Sequence, residues 1–192
     1  QRLNSEPHAL AFAGQSTPWP VALADQSANP ALDEALHTHA AAAQALLYPV
    51  SAELLATTGR PVDLFGFEPN PARLGAAAAA SASVPGIALT QLGALLDAAA
   101  LGYNPAQAKP VAVLGHSQGV LAVHMVQAIC EAGSIDAAAA KIDEILAIAT
   151  LIGVAGTRQA RQLGLAARHG EATPMLSVKD ITRAQVDALI ER

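Results

Sequence analysis

The sequence of 192 residues holds a single cysteine, Cys130, so neither an internal disulfide nor a cysteine-built zinc site can form. A lone thiol fits a reducing compartment, and a cytoplasmic location is expected. Aromatic residues make up 3% of the chain, charged residues only 14%. Eleven Lys+Arg stand against 16 Asp+Glu, a net charge of −5 with no basic cluster. That balance argues against a nucleic-acid surface and a polybasic membrane anchor. No apolar run reaches membrane-spanning length. The opening Gln1-Arg2-Leu3-Asn4 has no apolar signal core and no initiator Met, so the chain is expected to be cut from something longer. What is present is apolar and small: 52% hydrophobic residues, 46 of the 192 being alanine. Such a core suits a parallel sheet or packed helices more than an all-β fold.

Continuous apolar runs at residues 8–13 and 111–114 predict strands buried on both faces. Asn29-Pro30 predicts a helix start, and Leu32, Leu36, Ala40, Ala43 and Leu47 form its apolar stripe. Pro85 is expected to open a second, buried helix over residues 87–101. A third helix spans residues 120–130, with Gly133 as its C-cap. Two more are expected at about residues 136–154 and 158–168. A strand at 174–178 is followed by a helix opened by a Thr182/Gln185 capping box, with Ile181 and Val186 as its staple.

The chemistry is concentrated where the second strand meets the third helix, at Gly115-His116-Ser117-Gln118-Gly119. Strand, Gly-x-Ser-x-Gly, helix is the nucleophile elbow. A serine at the tip of that turn stands clear of the sheet. Side chains two residues to either side would collide with the neighbouring strand and helix, and the two glycines remove them. The backbone N–H of Gln118, at the helix N-terminus, is placed to stabilise an oxyanion. A second donor is needed, and Gln15, in the loop after the first strand, is the candidate.

A serine nucleophile needs a base, yet no histidine in the chain offers a convincing one. His37 and His39, two apart on a helix, read as surface residues and not as a metal pair. His116 belongs to the elbow, as a structural or substrate-contacting residue. His124 is expected to point into packing, and His8 to begin a strand. His169 is the one downstream loop histidine.

Four segments together resemble the acyltransferase family of fatty acid and polyketide synthesis. They are residues 11–15 (Ala-Phe-Ala-Gly-Gln), 85–92 (Pro-Gly-Ile-Ala-Leu-Thr-Gln-Leu), the elbow at 115–119, and 174–178 (Pro-Met-Leu-Ser-Val) with the Thr-x-x-Gln helix after it. Within that family, the Gly-His-Ser-Gln-Gly form and the Pro-Met-Leu-Ser strand look most like the acetyltransferase (acyl-CoA:ACP transacylase) domain of fungal and actinobacterial type I fatty acid synthases. The resemblance implies an α/β fold. Residues 1–172 would form the N-terminal part of an α/β-hydrolase-like core with a parallel sheet. Residues 173–192 would supply the first strand and helix of a ferredoxin-like insert. It further implies Ser117 as the acylated nucleophile, Gln118 and Gln15 as oxyanion-hole positions, His116 as an elbow residue, and a catalytic histidine beyond Arg192. Ser16 departs from the family's usual glycine.

The implied reaction moves an acetyl group from acetyl-CoA, through an acyl-serine, to the phosphopantetheine thiol of an acyl carrier protein. No metal and no tightly bound cofactor is implied. The expected partners are the carrier protein and the other domains of a homo-oligomeric multifunctional synthase, with no nucleic acid or membrane. Malonyl-specific members carry Arg-Gly on the helix after the elbow, where this chain has Ile152-Gly153. A carboxylate buried against isoleucine costs several kcal/mol, roughly two or more orders of magnitude in selectivity. Lys109, Arg158, Arg161 and Arg168 are candidates for the phosphate groups by sign alone. The alternatives are a malonyl or palmitoyl transferase of the same family, a non-catalytic synthase fragment, and a serine esterase or thioesterase. The last would use a triad of Ser117, Asp143 and His169, in the chain order of that class.

Overall fold

The structure, a computed structural model, describes residues 4–14, 18–47, 63–66, 80–163, 182–183 and 185. Its elements, in chain order, are β1 (Ala9–Phe12), α1 (Trp19–Ser27), α2 (Pro30–Leu47), α3 (Ala80–Ala100), the short α4 (Pro105–Ala108), β2 (Ala112–Gly115), α5 (Val120–Ala132) and α6 (Ala139–Gln162). A single 3₁₀ turn, Ser117–Gly119, joins β2 to α5. The class is mixed α/β, mostly helical, with a parallel sheet of two strands among the described residues.

β1 and β2 pair in parallel, Ala9 beside Ala112 and Phe12 beside Gly115. Both carboxyl ends therefore finish at one level, where the serine turn begins. The strands are not buried on both faces as their apolar runs suggest. β1 alternates exposed and half-buried residues, and Leu114 of β2 is 60% exposed.

The helices form the core. α3 packs most extensively against α6, with α1 and α2 on its flanks. The predicted α2 stripe of Leu32, Leu36, Ala40, Ala43 and Leu47 is its buried set. Asn29 caps it, Oδ1 accepting from the Ala31 N–H at 3.2 Å. α1 carries no apolar period that announces it. It is held by Trp19, which lies where a β-carbon on Gly86 would be, and by Gln26, whose Nε2 donates to the Thr90 carbonyl at 2.9 Å.

Two expected boundaries are corrected. Pro85 lies inside α3 and does not open it, so α3 runs 21 residues from Ala80. Contrary to the expectation that no apolar run reaches membrane-spanning length, α3 is long and apolar enough to do so, but most of that stretch is buried within this fold. The two helices expected after residue 136 are one, α6. Gly153 gives the reason: its bare Cα lies against the Ala80 carbonyl and the Ser81 backbone. Thr157, one turn on, accepts the Ser81 N–H on Oγ1 at 2.9 Å. Gly153 and Gly156, which weaken a helix in isolation, here let α6 and α3 approach closely.

α5 ends as expected at Gly133, whose φ of 89° and N–H bond to the Ile129 carbonyl are those of a left-handed cap. The Thr182/Gln185 capping box is formed. Gln185 Oε1 accepts the Thr182 N–H at 2.8 Å, and Thr182 Oγ1 accepts the Gln185 N–H at 3.4 Å. Ile181, Val186, Gln15, His169 and the strand expected at 174–178 lie outside the described residues.

Candidate active site

Ser117 is exposed and has φ of 53°, one of two non-glycine residues with positive φ among the described residues. An L-residue in the left-handed region is disfavoured by about 1–2 kcal/mol. The strain is sustained by what surrounds it. His116 is extended, and its N–H donates to the Phe12 carbonyl at 3.0 Å, continuing the sheet to the edge of the turn. The His116 carbonyl then accepts the Gly119 N–H at 2.9 Å, closing the turn beneath the serine.

The glycines are required by contact. A β-carbon on Gly115 would lie 2.5 Å from the Gly119 carbonyl carbon and 2.6 Å from the Val120 nitrogen. One on Gly119 would strike the Phe12 carbonyl oxygen and come within 2.9 Å of the Ala13 oxygen. Both meet backbone, which has no rotamer to yield. A third glycine belongs to the same construction. A β-carbon on Gly14 would lie 2.8 Å from Ser117 Cβ and 2.6 Å from the His116 oxygen. The end of β1 is thus pressed against the serine, on the side where an oxyanion hole is expected.

Gln118 is half-buried at the start of the helical segment, and its Oε1 is buried with no hydrogen-bond partner among the described residues. Sequence reasoning passed over a fourth residue, Gln91. It sits on α3, 7% exposed, and its Nε2 donates to the Ala13 carbonyl oxygen at 2.5 Å. The signal was a lone amide in a helix whose residues 81–93 are all buried.

The histidines are placed as follows. His8 hydrogen-bonds Tyr103 Oη through Nε2 at 2.8 Å. His37 stacks on Phe65 with ring centroids 3.7 Å apart. His39 is not a surface residue: its side chain is 13% exposed, and Nδ1 lies 2.7 Å from Asp143 Oδ1, tying α2 to α6. His124 is exposed instead of packed, and His116 is exposed beside the serine. None of these described histidines hydrogen-bonds Ser117.

Ile152 is 53% exposed on α6 and is not core, because the helix turns the neighbouring Gly153 inward to α3. The burial assumed for a carboxylate beside Ile152 is absent from the described residues. Lys109 and Arg158 are exposed; no side chain is described at Arg161, and Arg168 lies outside the described residues. An open cleft of about 410 Å³ lies between α1, α2 and residues 63–66, lined by Leu23, Ser27, Asp33, His37 and Phe65 among others. It shares no residue with the serine turn.

The arrangement is an exposed, strained serine between strand and helix, with the end of a parallel neighbour strand against it. It suits attack on a carbonyl carbon and stabilisation of the resulting oxyanion by backbone N–H groups. No curated protein matches the chain. The family model described as "Starter unit:ACP transacylase in aflatoxin biosynthesis" matches residues 68–192, which include Gln91, the serine turn and Ile152 but not β1. That match spans well over half of the sequence, and the chain belongs to the starter unit:ACP transacylase family, acyl transferases that load a carrier protein.

Proposed function

We propose that this chain transfers an acetyl group from acetyl-CoA to the phosphopantetheine thiol of an acyl carrier protein, priming fatty acid synthesis. The observation that carries the reading is Ser117 held at φ 53° between glycines that abut backbone. Ser117 Oγ attacks the thioester carbonyl as its proton passes to a histidine base, expected C-terminal to the described residues. The oxyanion is held by the Gln118 N–H and by a donor at Gln15. The C–S bond breaks, and CoA leaves as the thiol with the proton from the base. The carrier thiol then attacks the acetyl-serine, and the proton returns to Ser117 Oγ.

The acetyl assignment is supported by the residue before Gly153, which is isoleucine and has no cation to pair a malonyl carboxylate. With Ile152 exposed, this preference rests on the missing guanidinium alone. A longer acyl starter is the second reading, favoured by the family description, which names a starter unit without specifying acetyl. The hydrolase reading loses support because Asp143, its proposed acid, is engaged by His39. In this proposal residues 1–172 belong to a hydrolase-like core, 173–192 begin the insert, and the whole works in a cytoplasmic homo-oligomeric synthase.

The test is competition. The full-length protein is given equal acetyl-, malonyl- and hexanoyl-CoA, and the acylated peptide is mapped by mass spectrometry beside Ser117→Ala. Acetyl on Ser117 is expected. Hexanoyl in its place would establish the longer-starter reading, and malonyl would overturn the Ile152 argument. CoA released without an adduct, in a Ser117-dependent way, would mean hydrolysis.

A further inference from the structure

The amide of Gln91 is an expensive choice for its position. Residues 81–93 of α3 are all buried, and Thr90 beside it satisfies its own hydroxyl within the helix, donating to the Ile87 carbonyl at 2.9 Å. Gln91 is 7% exposed, and its Oε1 is buried without a hydrogen-bond partner among the described residues. A buried acceptor left unpaired costs stability, and leucine or methionine would fill the same volume without that cost. Packing therefore does not account for the residue. The other half of the amide is engaged, since Nε2 donates to the carbonyl oxygen of Ala13, the residue that follows β1.

That carbonyl lies at the junction with the serine turn. The Phe12 carbonyl accepts the His116 N–H, Gly119 is pressed against the Phe12 and Ala13 oxygens, and Gly14 lies against Ser117 Cβ. α3 also packs directly on the Ser117–Gly119 turn. A peptide unit is planar, so holding the Ala13 oxygen fixes the direction of the Gly14 N–H on its opposite edge.

We propose that Gln91 is a positioning residue for acyl transfer: by binding the Ala13 carbonyl it sets the Ala13–Gly14 peptide against Ser117 in the orientation the transition state needs. This rests on the acyl-serine reading above. Gln91 touches neither substrate nor nucleophile, and it acts through the backbone it holds. An Oε1 without a partner among the described residues is the cost of keeping a donor inside an apolar helix.

The test uses the full-length protein, with Ser117 acylation by acyl-CoA followed by rapid quench and intact-protein mass spectrometry. Gln91→Leu removes the donor and the acceptor left without a described partner together. The acylation rate constant is expected to fall about 10- to 100-fold, with KM for acyl-CoA within about two-fold and the melting temperature within a few degrees of wild type, since the lost bond to Ala13 and the removed acceptor act in opposite directions. Gln91→Glu can donate to Ala13 only while protonated, so its rate relative to wild type is expected to rise as the pH falls from 8 to 6. A wild-type rate in Gln91→Leu overturns the proposal, and so does a loss that tracks only the unfolded fraction. Should Gln91→Leu not fold, a flat Gln91→Glu ratio across that pH range overturns it. Acylation persisting in Ser117→Ala would instead overturn the acyl-serine reading, whatever the Gln91 variants do.

Discussion

Gly14 and Ser117 belong to different strand ends, yet a β-carbon on Gly14 would stand 2.8 Å from Ser117 Cβ. The close approach couples the end of β1 to Ser117, the proposed nucleophile. Gly14→Ala must move one or the other, because the same β-carbon also meets the His116 oxygen at 2.6 Å. The expected cost is about 1–3 kcal/mol of stability from overpacking. Displacing Ser117 by a fraction of an ångström to about 1 Å is expected to lower acylation by up to about 100-fold. Denaturant unfolding and the Ser117 acylation rate, measured on the same variant, check both.

The contact between α3 and α6 is predicted to be a point of global stability. Gly153→Ala places a methyl against the Ala80 carbonyl, and Thr157→Val leaves the buried Ser81 N–H without its acceptor. Each is expected to cost about 1–3 kcal/mol. Thermal unfolding should show a drop of roughly 2–4 °C per kcal/mol for a chain of this size. Ala155→Ser, on the exposed side of the same helix, should change little.

Asp143 separates two roles. It accepts from His39 across α2 and α6 at 2.7 Å, with side-chain exposures of 38% and 13%. Asp143→Ala is expected to cost about 1 kcal/mol of stability through the lost hydrogen bond. Acylation of Ser117, normalised to folded protein, should be preserved. A loss of several orders of magnitude in acylation would return Asp143 to the triad of a hydrolase. A double-mutant cycle with His39→Ala isolates the pair itself.

Alkaline stability should depend on Tyr103. It is 7% exposed, and burial, with a smaller contribution from Cys130, raises its pKa above the ordinary 10.0. The folded state thus holds the phenolic proton more tightly than the unfolded chain. The resulting stability is complete below pH 10.0 and is lost as the pH rises from there through the folded-state pKa. Melting temperatures from pH 8 to 11 should fall at the upper end, and Tyr103→Phe should flatten that part of the curve. His8 loses a hydrogen bond in the same variant, so its stability at pH 8 is expected to be lower by about 1 kcal/mol.

The serine turn was legible because its demands are local. Two glycines, a serine and the switch from a strand pattern to a helix pattern lie within a few residues, and each is there for a backbone reason that the residue types reveal. The α2 stripe, the Asn29 cap, the Gly133 cap and the Thr182/Gln185 box are local for the same reason. Failures came where a distant partner decides. The helix expected to end at Val154 runs on to Gln162, and nothing nearby in sequence shows that Gly153 lies against the Ala80 and Ser81 backbone. Pro85 read as a helix start because proline is favoured there, while burial on α3 holds the helix together on both sides of it. His39 read as surface because Asp143, its partner, is 104 residues away. Ile152 read as a buried selectivity position because the family's Arg-Gly place falls on Ile152-Gly153, and that correspondence does not say which face of α6 meets α3.

By itself the sequence determined the strand–Gly-x-Ser-x-Gly–helix turn that exposes Ser117, since that depends on short-range backbone geometry, and its four motif segments pointed to an acyl transferase family. Only the tertiary structure decided that Gly14 abuts Ser117, that Gln91 holds the Ala13 carbonyl, and that Ile152 faces outward. Those facts depend on which helix crosses which strand end. Contacts between residues some 80 to 100 positions apart arise from burying apolar surface across the whole core, and no local pattern specifies them.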